Sequence, residues 1–435
     1  MQQDSDRNNP AMAQILHIIP YHAFFPPRNG GQLRCFHIMK QLAREHEVHA
    51  IILQPQSELQ GVRNGYIFSD NIKVHGPAQK PPPRTIFDLL PARLNAALHY
   101  RWLCRSWRGP AEGTLLSIHH LLEDILLGEH IDLVIFEHLS AMMASPLVRR
   151  LSPRTIQVLD AHNIDHKLIS SDGERRHYDM VRWHETHLVA KIDAFFACSN
   201  KDRVELETLN GNQIQGMTIP NGVDAEVMRF DENLDKVLLK KIFFCGSLDY
   251  PPNKRGLEWF HQMVWPIIRV KDPGLRLVVV GRGARPGDFE GLRTDPAVEF
   301  VGEVDSVLPH YRATNISIVP LLEGSGTRLK ILEAMSLGNP VVSTHIGAEG
   351  IEAGPGRDLL LADEPEEFAA AVLRLLADPK LFEAVRRAGR HLVEEKYDWR
   401  VIGREINRTV EQLNILRTNA QAAKGTLYKS NRISS

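Results

Sequence analysis

Short runs of consecutive apolar residues alternate along this chain with stretches whose apolar positions recur every three to four residues, a pattern that predicts buried strands joined by helices. Ile15 to Pro20 predicts a strand, Gln32 to Arg44 a helix with Cys35, Ile38, Met39 and Leu42 on one face, and Val48 to Leu53 the next strand. A helical crossover of this kind makes the sheet parallel. Further strands are predicted at 132–136, 155–159, 194–198 and 217–220, with helices over 174–191 and 200–209.

The stretch from Asn221 to Lys240 is polar, acidic and weakly periodic, and is expected to be a linker. The pattern then restarts, with strands at 241–245, 275–281, 298–301, 316–321 and 340–344 and helices at 256–270 and 328–337. The expected organisation is a disordered tail at 1–13, an α/β domain at 14–220, the linker at 221–240 and a second α/β domain at 241–397. A helix at 398–418 returning to the first domain and a flexible tail at 419–435 complete it. The fold class is α/β, with two doubly wound parallel sheets.

Composition narrows the function. Lys and Arg total 52 against 53 Asp and Glu, a net charge of −1, so the chain as a whole carries no electrostatic footprint for nucleic acid. Four cysteines lie far apart with no C-x-x-C pair, which excludes a zinc ribbon or a disulfide framework and suits a reducing, cytoplasmic compartment. No basic leader precedes an apolar stretch and no run reaches the length of a membrane span, so any membrane contact, such as one at the inner face of the cell membrane, is expected to be peripheral. Its candidate is the segment 84–108, where five arginines and one acid, Asp88, are interleaved with Phe87, Tyr100, Trp102 and Trp107; a solvated helix with its tryptophans turned inward is the plain alternative.

In open α/β sheets ligands bind beyond the carboxyl ends of the strands. The richest loop there is Leu322 to Met335. Gly324 and Gly326 permit close backbone approach, Ser325 and Thr327 lead into a helix with Thr327 as the expected N-cap, and the free N–H groups of its first turn suit a phosphate. Arg328 and Lys330 add cations for a diphosphate, and Glu333 offers a carboxylate to a sugar's vicinal hydroxyls. A glycine-rich connection followed by a Lys330–Glu333 surface pair is the alternative. A second loop sets Gly30 and Gly31 at a helix N-terminus with Arg34 in the first turn, again fit for an anion. A third places His162 in Asp160-Ala161-His162-Asn163 just past a strand, and a fourth opens with Gly246 and Ser247 after the second domain's first strand. No set of metal ligands is written at recognisable spacing, and Gly281 to Gly287 imitates a dinucleotide fingerprint with one residue too many and Pro286 where the helix should run.

Together these segments resemble the family 4 glycosyltransferases of the two-domain GT-B type. Pro26-Pro27 with Gly30-Gly31 and Arg34, Asp160-Ala161-His162-Asn163, Ile219-Pro220-Asn221-Gly222-Val223-Asp224, Phe244-Cys245-Gly246-Ser247, Val301-Gly302 and the run from Gly326 to Met335 carry the resemblance. It implies two domains facing across a cleft, and transfer of a sugar from a nucleotide donor, UDP- or GDP-linked, to a hydroxyl of a glycan or lipid-linked acceptor. It further implies a retaining reaction without metal or cofactor, in polysaccharide or glycolipid assembly. His162 would orient the donor sugar, and Glu333 would hold the ribose. Gly30, Gly31, Arg34, Gly246, Ser247, Ser325, Gly326, Thr327, Arg328 and Lys330 would surround the diphosphate and sugar. Two departures stand out: Ser325 occupies the place, eight before Glu333, where many members carry a first glutamate, and the arginine and lysine often found after the second domain's first strand are not evident in Ser247–Lys254, although Lys254 and Arg255 lie nearby. A nucleotide-sugar epimerase, or a non-catalytic nucleotide- or glycan-binding subunit, fits the same residues.

Overall fold

The computed structural model describes residues 12–21, 24–53, 59, 70–77, 112–169, 175–187, 189–324 and 326–433. The candidate membrane segment 84–108 lies outside the described residues. Among the described residues no helix is long and apolar enough to cross a membrane.

The chain divides into one unit of residues 1–219 and 403–435 and a second of residues 220–402. The first is built on strands β1 (Gln14–Ile19), β2 (Glu47–Ile52), β3 (Ile72–His75), β4 (Leu133–Glu137), β5 (Ile156–Ala161), β6 (Ala194–Ala197) and β7 (Gly216–Thr218). They form a parallel sheet in the order β3-β2-β1-β4-β5-β6-β7. In β1, β4 and β5 nearly every position is buried, as expected of a sheet covered on both faces. The helix Gly30–Leu42 follows β1; Asn29 caps it, its side chain accepting from the Gln32 amide at 2.9 Å, and Cys35, Ile38, Met39 and Leu42 form its buried stripe.

The second unit carries β8 (Lys241–Cys245), β9 (Arg276–Val280), β10 (Val298–Gly302), β11 (Ile316–Val319), β12 (Val341–Ser343) and β13 (Leu360–Leu361), all parallel, in the order β10-β9-β8-β11-β12-β13. The two sheets share a winding rule. Each starts at its middle, runs outward to one side and then crosses over to the other, so each has one point where the strand order reverses: β1/β4 in the first and β8/β11 in the second.

Two expectations are corrected here. Residues 221–240 are not a detached linker: they pack into the second unit, where the Lys236 ammonium is buried, donating to Asp231 at 3.0 Å and to the Tyr311 carbonyl at 3.1 Å, and Arg386 donates to the Asn233 carbonyl at 3.0 Å. A polar segment reads as a linker when its charges bind carbonyls that the sequence does not announce. The last helix runs from Trp399 to Ile433 without a break at 418, since the residues beyond, Gln421-Ala422-Ala423-Lys424 among them, favour helix.

Candidate functional site

At the β1/β4 reversal the first unit gathers a buried polar cluster. His17 extends from β1, Glu137 ends β4, Asp160 lies in β5, His162 follows it, and Arg34 and Cys35 come from the helix after β1. Glu137, wholly buried, is contacted by His17 and lies 2.5 Å from His162 Nε2 and 3.2 Å from the Cys35 thiol. Burial alone would push its pKa up, but His17 and His162 together hold the carboxyl well below the usual range. Burial likewise works against a charged His162, yet the Asp160 and Glu137 carboxylates outweigh it and push the imidazole up to about 9. The cluster thus keeps a cation at His162 at neutral pH.

Around this cation the main chain comes close. A Cβ on Gly31 would stand 2.3 Å from the Tyr21 hydroxyl and 3.3 Å from His162 Nδ1, so the first turn of the helix runs close beside both, with room for little more than a glycine. The structure therefore brings the predicted Gly30-Gly31 loop and His162 together. Arg34 is a correction. Its guanidinium is buried and grips Asp160 at 2.8 and 2.6 Å and the Ile219 carbonyl at 2.9 Å, tying the helix to the ends of β5 and β7 rather than presenting a cation to an anion.

Two residues of this site are not legible in sequence. His138, directly after β4, has a left-handed backbone (φ 63°), donates to or accepts from the Tyr21 hydroxyl at 2.7 Å, and its ring centroid lies 3.7 Å from that of His162. Burial and the neighbouring His162 charge keep it neutral. Strained non-glycine backbone of this kind persists where the surroundings over-determine it, often at functional sites. Asp165 is pushed up to about 6 by burial and by the Glu185 charge. The pairing of β4 with β5 puts His138 beside His162, while Asp165, three residues beyond His162, meets Glu185 from the helix Arg175–His187. The cluster Cys35, Glu137 and His162 has donor atoms close enough for a metal ion, but each is already committed within the hydrogen-bond network.

The second unit builds its site at the β8/β11 reversal. Gly324 and Gly326 have left-handed backbones (φ 114° and 78°), turning the loop into the helix Leu329–Leu337. The N-cap is Arg328, not Thr327 as expected, and its side chain makes no cap bond. Arg328 is buried and donates to the Gly326 carbonyl, bracing its own loop. Ser325 lies outside the described residues.

Lys330 Nζ sits 4.8 Å above the Phe244 ring of β8 and donates to Asn253 Oδ1 at 2.8 Å. Burial lowers its ionisation to about 8. Glu333, one turn on, accepts from the Tyr311 hydroxyl at 3.2 Å, and burial raises its carboxyl above the usual range despite Lys330. Gly246 completes the set: a Cβ there would come within 2.7 Å of Lys330 Nζ and 2.8 Å of Asn253 Nδ2. Gly246 and Lys330 are thus adjacent in space, as are Ser247, whose carbonyl accepts from Asn253 at 2.9 Å, and the helix bearing Lys330 and Glu333. A helix N-terminus, a lysine and a carboxylate thus lie together at one strand end.

Comparison with known proteins bears on both units. The family described as Glycosyltransferase Family 4 matches residues 28–227, and that described as Glycosyl transferases group 1 matches residues 239–378. The chain belongs to the family 4 glycosyltransferases. Among curated relatives, a phosphatidyl-myo-inositol mannosyltransferase of Mycobacterium leprae is 27% identical over 253 residues, 55% of this chain and 63% of that protein. A 44.6 kDa protein of the cps region of Klebsiella pneumoniae, itself uncharacterised, is 29% identical over 171 residues, 36% of this chain and 42% of its own length. These matches span about half the length of the relatives. Among solved structures, sucrose-phosphate synthase of Thermosynechococcus elongatus superposes with a TM-score of 0.69 at 17% identity, covering 92% of this chain and 99% of that one. HepE of Anabaena, in complex with UDP-glucose, gives 0.61 at 14% identity, over 92% and 99%. The fold of this family 4 member is GT-B.

Proposed function

We propose that this protein transfers a sugar from a UDP- or GDP-linked donor to a hydroxyl of a glycan or lipid-linked acceptor, with retention of configuration and without a metal, in polysaccharide or glycolipid assembly. The observation that carries the reading is the set at the β8/β11 reversal: Lys330, with Gly246 and Asn253 against its ammonium, and Glu333 three residues along the same helix.

The second unit holds the nucleotide. Glu333 takes the ribose hydroxyls, and Lys330, Arg328 and the N–H groups of the Leu329–Leu337 helix meet the diphosphate. As the bond to the sugar breaks, negative charge grows on the leaving phosphate, and donors already aimed at it stabilise the transition state more than the ground state. Because Lys330 and Arg328 neutralise that charge, the step asks nothing of a divalent ion. On the first unit, the imidazolium of His162 donates to a sugar hydroxyl and orients the ring, while the leaving phosphate oxygen takes the acceptor's proton. The mannosyltransferase relatives and the UDP complexes of fold neighbours support this donor class.

The test is a melting-temperature screen of the protein with UDP-, GDP- and ADP-sugars, followed by NMR of the stabilising donor with and without a panel of sugar and lipid acceptors. A ligand at about 100 times its dissociation constant stabilises by about 2.7 kcal/mol, a readable shift. Transfer seen only with acceptor supports the reading. An isomerised sugar formed without acceptor makes the protein an epimerase, and binding without turnover makes it a binding subunit.

A further inference from the structure

The loop after β8 holds no arginine or lysine, and Lys254 and Arg255 in the helix Pro251–Trp259 that follows are paired with Asp288 and Glu323, yet Asn253 beside them reaches the single lysine of the helix Leu329–Leu337. We propose that Asn253 is a positioning residue for the donor diphosphate: its amide holds the Lys330 ammonium in place at the end of β8. The inference rests on the reading that Lys330 faces the diphosphate.

The geometry is specific. Asn253 is nine-tenths buried in the first turn of the helix Pro251–Trp259. Its amide bridges two elements, accepting from Lys330 Nζ at 2.8 Å and donating to the Ser247 carbonyl at 2.9 Å. Lysine only donates and a carbonyl only accepts, so the amide has one orientation available: oxygen to Lys330, nitrogen to Ser247. No other side chain of this size does both. Aspartate would set a carboxylate against the Ser247 carbonyl, and leucine would leave the ammonium unsolvated. Gly246 allows the approach, and the Phe244 ring lies beneath the ammonium.

The arrangement also tunes the charge. Burial lowers Lys330 to about 8; the groups that face it are Cys245 on β8, Arg328 in the loop, which opposes its charge, and Glu333 on its own helix, which favours it. The neutral amide solvates the ammonium without neutralising it, which leaves its full charge for a phosphate. A carboxylate in that place would compete with the ligand.

The experiment titrates Lys330 in the free protein through its 13Cε signal, assigned by its loss in Lys330→Met, and measures UDP and GDP affinity by calorimetry from pH 6 to 9.5. The proteins are wild type, Asn253→Ala, Asn253→Asp and Lys330→Met. Asn253→Asp, placing an anion within hydrogen-bond reach, should raise the lysine midpoint by about one unit or more, and Asn253→Ala, removing the acceptor, should lower it. Both variants lose the Ser247 bond, so a purely structural role would move them in the same direction. Nucleotide affinity of Asn253→Ala should be about tenfold weaker at pH 7.5 and recover toward wild type at pH 6. Midpoints that stay at the wild-type value, or that both move one way, overturn the inference while leaving the diphosphate reading intact. If Lys330→Met binds UDP and GDP as wild type does at every pH, the diphosphate reading itself fails, and the inference falls with it whatever the titration shows.

Discussion

Glu137 Oε2 stands 2.5 Å from His162 Nε2, with both side chains buried, so that the last residue of β4 holds the charge on a histidine that belongs to the loop after β5. Glu137 is the hub of the first unit's site, since His17 and the Cys35 thiol converge on it as well. Replacing it leaves several groups without their counter-charge.

Glu137→Gln is therefore expected to destabilise the protein by about 3 kcal/mol, the cost of breaking a buried ion pair. The pH dependence has a definite sign. His162 titrates at about 9 when folded against an ordinary 6.5, so its stabilising contribution is complete below 6.5 and is lost as pH rises through 9. Denaturant unfolding of wild type should weaken across that window, and Glu137→Gln should weaken less. Equal slopes in the two proteins would contradict the pairing.

His138→Gly separates backbone strain from side-chain chemistry. Glycine accepts the left-handed conformation at φ 63° without penalty, worth roughly 1 kcal/mol in favour of the variant. Loss of the Tyr21 and His162 contacts offsets this, so stability should stay within about 1 kcal/mol of wild type while turnover falls at least about tenfold. Full activity in a stable His138→Gly protein would show that the imidazole has no part in the reaction.

The β3 edge of the same sheet predicts acid sensitivity. His49 and His75 stack on β2 and β3 with ring centroids 5.5 Å apart. Burial, then mutual repulsion and the nearby Lys73, lower His75 to about 4. A histidine whose folded value is depressed stabilises fully above its ordinary 6.5 and costs stability as pH falls toward 4, here by about 2–3 kcal/mol. His75→Gln should flatten the loss between pH 6.5 and 4 in chemical unfolding curves; an unchanged slope would place the acid sensitivity elsewhere.

Gly246→Ala tests the close approach at the second site. Its Cβ would lie 2.7 Å from Lys330 Nζ, forcing the lysine out of its place, whereas the backbone has no positive φ that forbids a side chain. UDP or GDP affinity should drop more than about tenfold with a melting temperature close to wild type. Unaltered affinity would mean that Lys330 does not need this position.

Strand cores were legible in the sequence because an all-buried parallel strand is a run of apolar residues, and β1, β4, β5, β8 and β11 show it plainly. β3 was not, because on this half-exposed strand Lys73 and His75 break the apolar run, nor was β13, whose two residues are too few to carry a pattern. The glycine pairs, His162 and the run from Gly326 to Glu333 announced themselves as polar residues at strand ends. Arg34 misled because a guanidinium in a first helical turn looks the same whether it meets a ligand or a buried aspartate from 126 residues away. His138 and Asn253 were silent because the residues they meet, His162 and Lys330, come from neighbouring strand ends, and Asp165 because Glu185 reaches it from a helix twenty residues on.

The most direct test of the central claim is calorimetric titration of UDP and GDP into the wild type, Lys330→Met and Glu333→Gln at pH 7. One nucleotide should bind the wild type, and Glu333→Gln should weaken it by roughly 10- to 150-fold, the worth of a charge-assisted hydrogen bond of about 1.5–3 kcal/mol. Lys330→Met should weaken it comparably. Both variants binding as tightly as wild type, or neither nucleotide binding the wild type at all, would contradict the account.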